Sequence, residues 1–186
     1  MRYKNVVDNE NKKLLDTSEI SLRLDDYDDI FSDFDPRPYS QKALSVDFLE
    51  ELKRASVDKK FGAIQLIFLV PLSKKNSSFE LMIKKRLREH FKKHYRILKE
   101  EVKKTIRKGI VFMISGIILM VTATFLLFSE TDKNLIKSFF ITLLEPASWF
   151  LFWEGGDIAL FEPKEKKLEL EFYKKMANSR IIFYHY

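Results

Sequence analysis

The chain has no cysteine, which excludes a disulfide framework and every thiolate metal site or nucleophile. Its five glycines are too few and too scattered for a backbone cradle around nucleotide phosphates. There is no nucleophile elbow and no catalytic triad, so no catalytic residue, cofactor site or metal ligand is assigned. The opening stretch MRYKNVVDNENKKLLD lacks the apolar core of a secretory signal, so insertion into a membrane is expected to be directed by internal helices.

What the sequence does contain is segregated. The mean hydropathy of -0.21 suits a soluble protein, yet charge crowds positions 1–108 and 162–175, and Gly109–Phe161 is overwhelmingly apolar. The net charge of +6 is also uneven. Between Asp16 and Asp35 the acids Asp16, Glu19, Asp25, Asp26, Asp28, Asp29, Asp33 and Asp35 face Arg23 alone. Lys and Arg dominate Lys84–Lys108, opposed by Glu89, Glu100 and Glu101. Opposite blocks of this kind attract each other or face different partners.

Ile110–Phe128, IVFMISGIILMVTATFLLF, carries no charge, and at 1.5 Å per residue it reaches roughly 28 Å, close to the hydrocarbon thickness of a bilayer. A small domain could hardly bury such a helix on all sides. A second apolar run, Leu135–Leu160, is interrupted by Lys137 and Glu145-Pro146. The connector SETDKN is too short for a domain, so the two runs are expected to form an antiparallel transmembrane hairpin. Trp149 and Trp153 mark the membrane–water boundary on this reading, and Gly155-Gly156 offers a helix stop or bend, ending the second span near residue 157. Lys99, Lys103, Lys104, Arg107 and Lys108 precede the first span, and Lys164, Lys166 and Lys167 follow the second, while the connector has Lys133. By the positive-inside rule both termini are expected in the cytoplasm of a multi-pass inner-membrane protein.

Outside the spans, SEISLRL (Ser18–Leu24) alternates as a strand does. Asp25–Tyr39 is an acidic connection whose Pro36 and Pro38 oppose regular helix. Ser45 is placed to cap a helix with Val46, Phe48, Leu49 and Leu52 at helical spacing. Phe61–Val70 reads as a central strand. Ser77 or Ser78 is expected to cap a long helix with Leu81, Ile83, Leu87, Phe91, Tyr95, Leu98, Val102 and Ile106 on one face. It meets no breaker before Gly109. Leu168–Ala177 reads as a helix and Arg180–Tyr184 as a last strand.

The expected fold is therefore a membrane α+β protein: a two-helix hairpin (109–160, with spans 110–128 and 135–157) attached to a small cytoplasmic α+β domain of about three strands. Residues 1–17 form a flexible N-terminus, 18–108 the domain with its basic juxtamembrane helix, and 161–186 a C-terminal helix and strand.

Glu145 is the most informative single residue. A carboxylate at mid-membrane costs about 2.5–3.5 kcal/mol on insertion scales, so it usually faces protein, water or a cation. Pro146 frees a carbonyl near Thr142, and Thr122 and Thr124 are candidate cross-helix partners. The alternative is that Glu145 lies shallower or bonds only within the hairpin. The cations Lys99, Lys103, Lys104, Arg107 and Lys108 suit anionic lipid headgroups; nucleic acid is disfavoured because no recognition domain or stacking platform accompanies them. His90 and His94 could share a metal from one helix face, but lack the Glu of a zinc-protease motif and are expected to be surface residues. Asp25, Asp26, Asp28, Asp29, Asp33 and Asp35 could bind Mg²⁺ or Ca²⁺, yet no glycine or terminal Glu falls where an EF-hand needs it. With Arg37 they read better as a recognition loop.

Two stretches, SLRLDDYDDIFSDFDPRPYSQKALSVDFL and LLEPASWFLFWEG, resemble a family of small uncharacterised bacterial membrane proteins with two transmembrane helices. The resemblance implies a bacterial-type two-helix protein and brings no activity, cofactor or site residue with it. Three functions remain open. The first is a membrane anchor presenting its domain to a cytoplasmic protein partner; the second is an oligomeric channel or effector with Glu145 in a pore or at a subunit contact. The third and weakest is a metal-dependent enzyme using the acidic loop.

Overall fold

The computed structural model describes residues 19–57, 59, 64–128 and 134–186. The expected flexible N-terminus (1–17), Ser18, the first part of the Phe61–Val70 strand, and Lys133 in the connector lie outside these residues. The protein is mostly helical, with a small three-stranded sheet and two helices long and apolar enough to cross a membrane. In chain order the elements are β1 (Glu19–Arg23), a 3-10 turn (Tyr27–Ile30), α1 (Val46–Ser56), β2 (Gln65–Val70) and a second 3-10 turn (Leu72–Lys74). They are followed by α2 (Ser77–Phe128), α3 (Leu135–Leu160), α4 (Glu162–Ala177) and β3 (Arg180–His185). The chain forms two compact units, one from residues up to Tyr95 with Glu171–Tyr186, the other Arg96–Leu170.

In the first unit the strand order is β1-β2-β3 and every pairing is parallel. Parallel neighbours need a long crossover; α1 lies in the first connection, and α2, α3 and α4 in the second. The register aligns Leu22 with Phe68 and Phe68 with Phe183. β2 is central, and its run QLIFLV is almost wholly buried, as a strand covered on both faces should be. Ile83, Leu87 and Phe91 on α2 are fully buried against this core, each contributing about 1.5–3 kcal/mol. Phe172 and Met176 of α4 join the same cluster. Leu81 and Val46, expected on inward faces, are exposed instead; Val46 is the first residue of α1 and Leu81 the fifth of α2, both near the end at which the helix enters from solvent.

Capping differs from the expectation in one place. Asn76, rather than Ser77 or Ser78, caps α2: its Oδ1 accepts from the amides of Ser78 at 3.1 Å and Phe79 at 3.2 Å, satisfying two orphan donors. Ser45 stands at the α1 N-cap in extended conformation, without a side-chain cap bond. At the other end of α1, Lys175 Nζ donates to the carbonyls of Ser56 (3.2 Å) and Lys59 (2.8 Å), a cation where the helix dipole favours one.

In the second unit, the apolar part of α2 packs antiparallel to α3 along a seam of small residues. Gly109, Gly116 and Ala123 recur every seven residues on α2, and Ser148 and Gly155 do so on α3; all five are buried. A Cβ on Gly109 would lie 2.6 Å from the Ala159 amide nitrogen, and one on Gly116 would lie 2.8 Å from the Phe152 amide nitrogen and the Ser148 carbonyl. The backbones touch, as small-residue helix interfaces allow. This also explains why Gly155-Gly156 is not the stop it was expected to be. α3 continues to Leu160 and closes with the Phe161 amide bonding the Asp157 carbonyl at 2.9 Å, because Gly155 serves close approach rather than a turn. α4 then begins at Glu162, earlier than expected, with Pro163 in its first turn, where the missing amide hydrogen costs nothing.

Little of the apolar surface is covered within the protein. Only 11% of the most apolar stretch of α2, and 6% of that in Leu135–Ala177, is buried. A core helix of a soluble domain would be mostly buried, so these helices expose a continuous apolar surface.

Candidate functional site

The acidic segment is a folded loop. Asp26 is the N-cap of the turn Tyr27–Ile30 in a reciprocal capping box with Asp29. Asp29 Oδ2 accepts from the amides of Asp25 at 2.8 Å and Asp26 at 3.1 Å. Tyr27, Ile30 and Phe31 turn inward and are buried, which fixes the loop to the core. Phe31 bridges Leu44, and Ser32 N–H donates to the Ala43 carbonyl at 2.9 Å, closing the loop at its base. Tyr39 stacks on Phe31 with centroids 5.1 Å apart; burial and nearby Asp28 push its hydroxyl up to about 12.

Asp35 organises the tip. Its carboxylate accepts from Arg37 Nε (2.9 Å), Arg37 Nη2 (2.7 Å) and the amides of Arg37 (3.1 Å) and Ala43 (2.6 Å). The Arg37 guanidinium and the amide donors hold this carboxyl well below the usual carboxylate range. Asp26 is likewise lowered, chiefly by its hydrogen bond from Lys74 at 2.7 Å, and Asp28 pairs with Lys42 at 2.8 Å. Of the seven residues expected to face a partner, Asp26, Asp28, Asp29, Asp35 and Arg37 are thus engaged by the protein itself. Among the described residues, no side-chain partner falls on the carboxylates of Asp25 and Asp33. Between Asp33 and Asp35, Phe34 is 97% exposed. The sequence reading missed it, because periodicity in a non-regular segment does not say which aromatic turns out.

A second polar cluster lies beyond the carboxyl ends of β2 and β3. Glu80 Oε1 accepts from Tyr27 OH at 2.9 Å and sits 2.8 Å from His185 Nε2, while Tyr27 OH accepts from the Asn76 amide at 3.1 Å. Burial raises the Tyr27 hydroxyl's pKa. His90, expected at the surface, is mostly buried instead, with its Nε2 unpartnered among the described residues. Its ring lies 4.2 Å from that of His94, which stacks on Tyr173. Burial first, then the charges of His94, Arg86 and Lys93, push its pKa down to about 4. Among the described residues there is no group of three or more His, Asp or Glu side chains that could hold a metal ion.

In the second unit, Glu145 is exposed and lines a groove of about 540 Å³ with Met120, Ala123, Thr124, Leu127 and Trp149. Thr124 shares this groove but Thr122 does not. Neither hydroxyl reaches across to Glu145: Thr122 donates to the Ile118 carbonyl at 2.8 Å and Thr124 to that of Met120 at 2.9 Å. The local alternative, an i–4 carbonyl, wins because it is always in reach. Pro146 is accommodated within α3, with Ser148 Oγ donating to the Glu145 carbonyl at 2.7 Å and Thr142 to that of Ser138 at 2.9 Å. Trp149 and Trp153 are both exposed, but the meeting of Gly116 with Ser148 and Phe152 sets Trp149 near the level of Ile117, well inside the apolar run and not at the boundary expected of it. Lys99, Lys103, Lys104, Arg107 and Lys108 are exposed as well, and Lys166 pairs with Glu101 at 2.8 Å just below the apolar span.

Comparison with known protein families, with curated proteins and with solved structures finds no match.

Proposed function

We propose that the chain is an integral membrane protein, held by the apolar half of α2 and by α3, whose domain docks a protein partner at the cytoplasmic face of the inner membrane. The uncovered apolar surface of the two helices supports the membrane reading. The exposed cations Lys99, Lys103, Lys104, Arg107 and Lys108 support the orientation and a contact with anionic headgroups. The observation that carries the docking reading is Phe34. A fully exposed aromatic on a loop fixed by Asp35 and the Asp26–Asp29 capping box is a preorganised anchor, since little ordering entropy remains to be lost on binding. Asp33 next to it, and Asp25 at the start of the loop, add exposed negative charge, which suits a basic partner. The engagement of Asp26, Asp28, Asp29 and Asp35 by protein groups favours the docking reading over a metal-dependent enzyme.

The test uses the full chain in its membrane. A photo-crosslinking residue at Phe34 is expected to trap one discrete protein, lost on competition with excess wild type, while the same residue at exposed Val57 traps none. Equal adducts from both positions would sink the docking surface. Extraction by alkaline carbonate would sink the membrane reading separately.

A further inference from the structure

The groove on the apolar helices is self-complementary. Glu145 and Trp149 lie one helical turn apart on the same face of α3 and line the same groove. One offers hydrogen-bond acceptors and the other an indole N–H that can only donate. Among the described residues neither group has a hydrogen-bond partner for its side chain. The seam sets the depth: Gly116 meets Phe152 and Ser148, so Glu145 sits near the level of Val121, close to the middle of Ile110–Phe128. A carboxyl there is far from either water layer.

We propose that a second copy of the chain covers this groove in the membrane, forming a twofold dimer in which Glu145 of each protomer accepts from Trp149 of its partner. This inference rests on the membrane reading above. Copies inserted by the same rule share one orientation, so a twofold axis along the membrane normal sets each Glu145 level with the other, and the long indole of Trp149, one turn away, reaches across to the partner's carboxylate. In such an isologous contact residue i meets j and j meets i, and a donor and an acceptor one turn apart form two reciprocal bonds. The surface around them suits close approach: Pro146 has no amide hydrogen to leave unpaired, and the Thr124 hydroxyl is already bonded to its own helix. A partner helix bearing a lysine or arginine would answer Glu145 alone and leave the Trp149 N–H unused.

Because the chain has no cysteine, single cysteines report the contact without background. Thr142 lies on the face of Glu145 and Trp149; Phe140 lies nearly opposite and is exposed. In lipid nanodiscs the wild type is expected to count as two subunits, and T142C to form a disulfide dimer under mild oxidation while F140C stays monomeric. Glu145→Leu should reduce the dimer fraction at least tenfold, and Trp149→Phe, which keeps the ring and removes the donor, should weaken it measurably. A monomeric wild type, a higher oligomer, equal trapping at both positions, or a dimer indifferent to Trp149→Phe would overturn the twofold contact. Failure to pellet with carbonate-washed membranes would instead overturn the membrane reading on which it stands.

Discussion

Glu80 Oε1 and His185 Nε2 lie 2.8 Å apart, joining the first turn of α2 to the last residue of β3. Tyr27 OH donates to the same oxygen at 2.9 Å, so one carboxylate ties together three segments of the domain. Its side chain and that of His185 are almost out of solvent. Removing an acceptor from such a site leaves its donors unsatisfied, at a cost of about 1–3 kcal/mol. Glu80→Ala should therefore lower the stability of the domain by that amount. Hydrogen exchange of the β3 amides that donate to β2, its one neighbouring strand among the described residues, should accelerate first. Unchanged protection of Ile182 and Tyr184 would show that the contact does not hold the strand.

His90 makes stability depend on pH. Its folded pKa, about 4, lies below the ordinary value of about 6.5. Between these limits the unfolded chain binds a proton that the folded one does not, so stability falls as pH falls from 6.5 towards 4. Because the ring is not wholly excluded from solvent, the effect is put at about 1–3 kcal/mol across that window. His90→Leu should flatten the dependence while keeping the fold. Urea midpoints at pH 7 and pH 4.5 in the two proteins check this, and an equal drop in both would assign the effect to other groups.

Asp35 works with the opposite sign. Its folded pKa is depressed by Arg37 and the Ala43 amide, so its contribution is complete above the ordinary carboxylate value of about 3.9. That contribution is lost only as pH falls through the lower folded value. The loop should stay ordered at pH 4, where ordinary carboxylates have begun to protonate. Asp35→Ala should release Arg37 and the Ala43 amide at every pH, seen as faster exchange of that amide. Because the Arg37 end of this ion pair is exposed and therefore screened, salt should shift Arg37 more than Ala43.

Much of this architecture is legible in the sequence because it is periodic. β2 is a continuous apolar run, the inward face of α2 repeats Ile83, Leu87 and Phe91 at four-residue spacing, and the two long apolar helices follow from length alone. Contacts between distant segments are not legible in this way. Nothing local to Glu80 or His185 marks them as partners, since 105 positions separate them. The acidic loop illustrates a different limit: its composition suggests an open recognition segment, yet Asp26, Asp29 and Asp35 spend their acceptors on neighbouring amides. Gly155-Gly156 is ambiguous by nature, because glycine both ends helices and admits close packing. The seven-residue recurrence of Gly109, Gly116 and Ala123 was the available signal for the second meaning.

That ambiguity gives the sharpest prediction. A Cβ on Gly155 would lie 2.5 Å from the Met113 amide nitrogen and 2.6 Å from the Gly109 carbonyl, both backbone atoms that cannot turn aside. On Gly156, one position along, a Cβ would meet nothing within 4 Å. The two residues share a helix, a depth and a composition, so helix propensity acts equally on both and only packing distinguishes them. Gly156→Ala should be neutral or stabilise the helix by up to about 1 kcal/mol. Gly155→Ala must force α2 and α3 apart, losing contacts along the seam, and overpacking of this kind costs about 1–3 kcal/mol. Distances between spin labels at Val111 and Leu160 would widen in Gly155→Ala and stay fixed in Gly156→Ala. If both variants kept the wild-type distance, the seam would not be what sets the helix separation, and the glycines would have to be explained by the bend that the sequence first suggests.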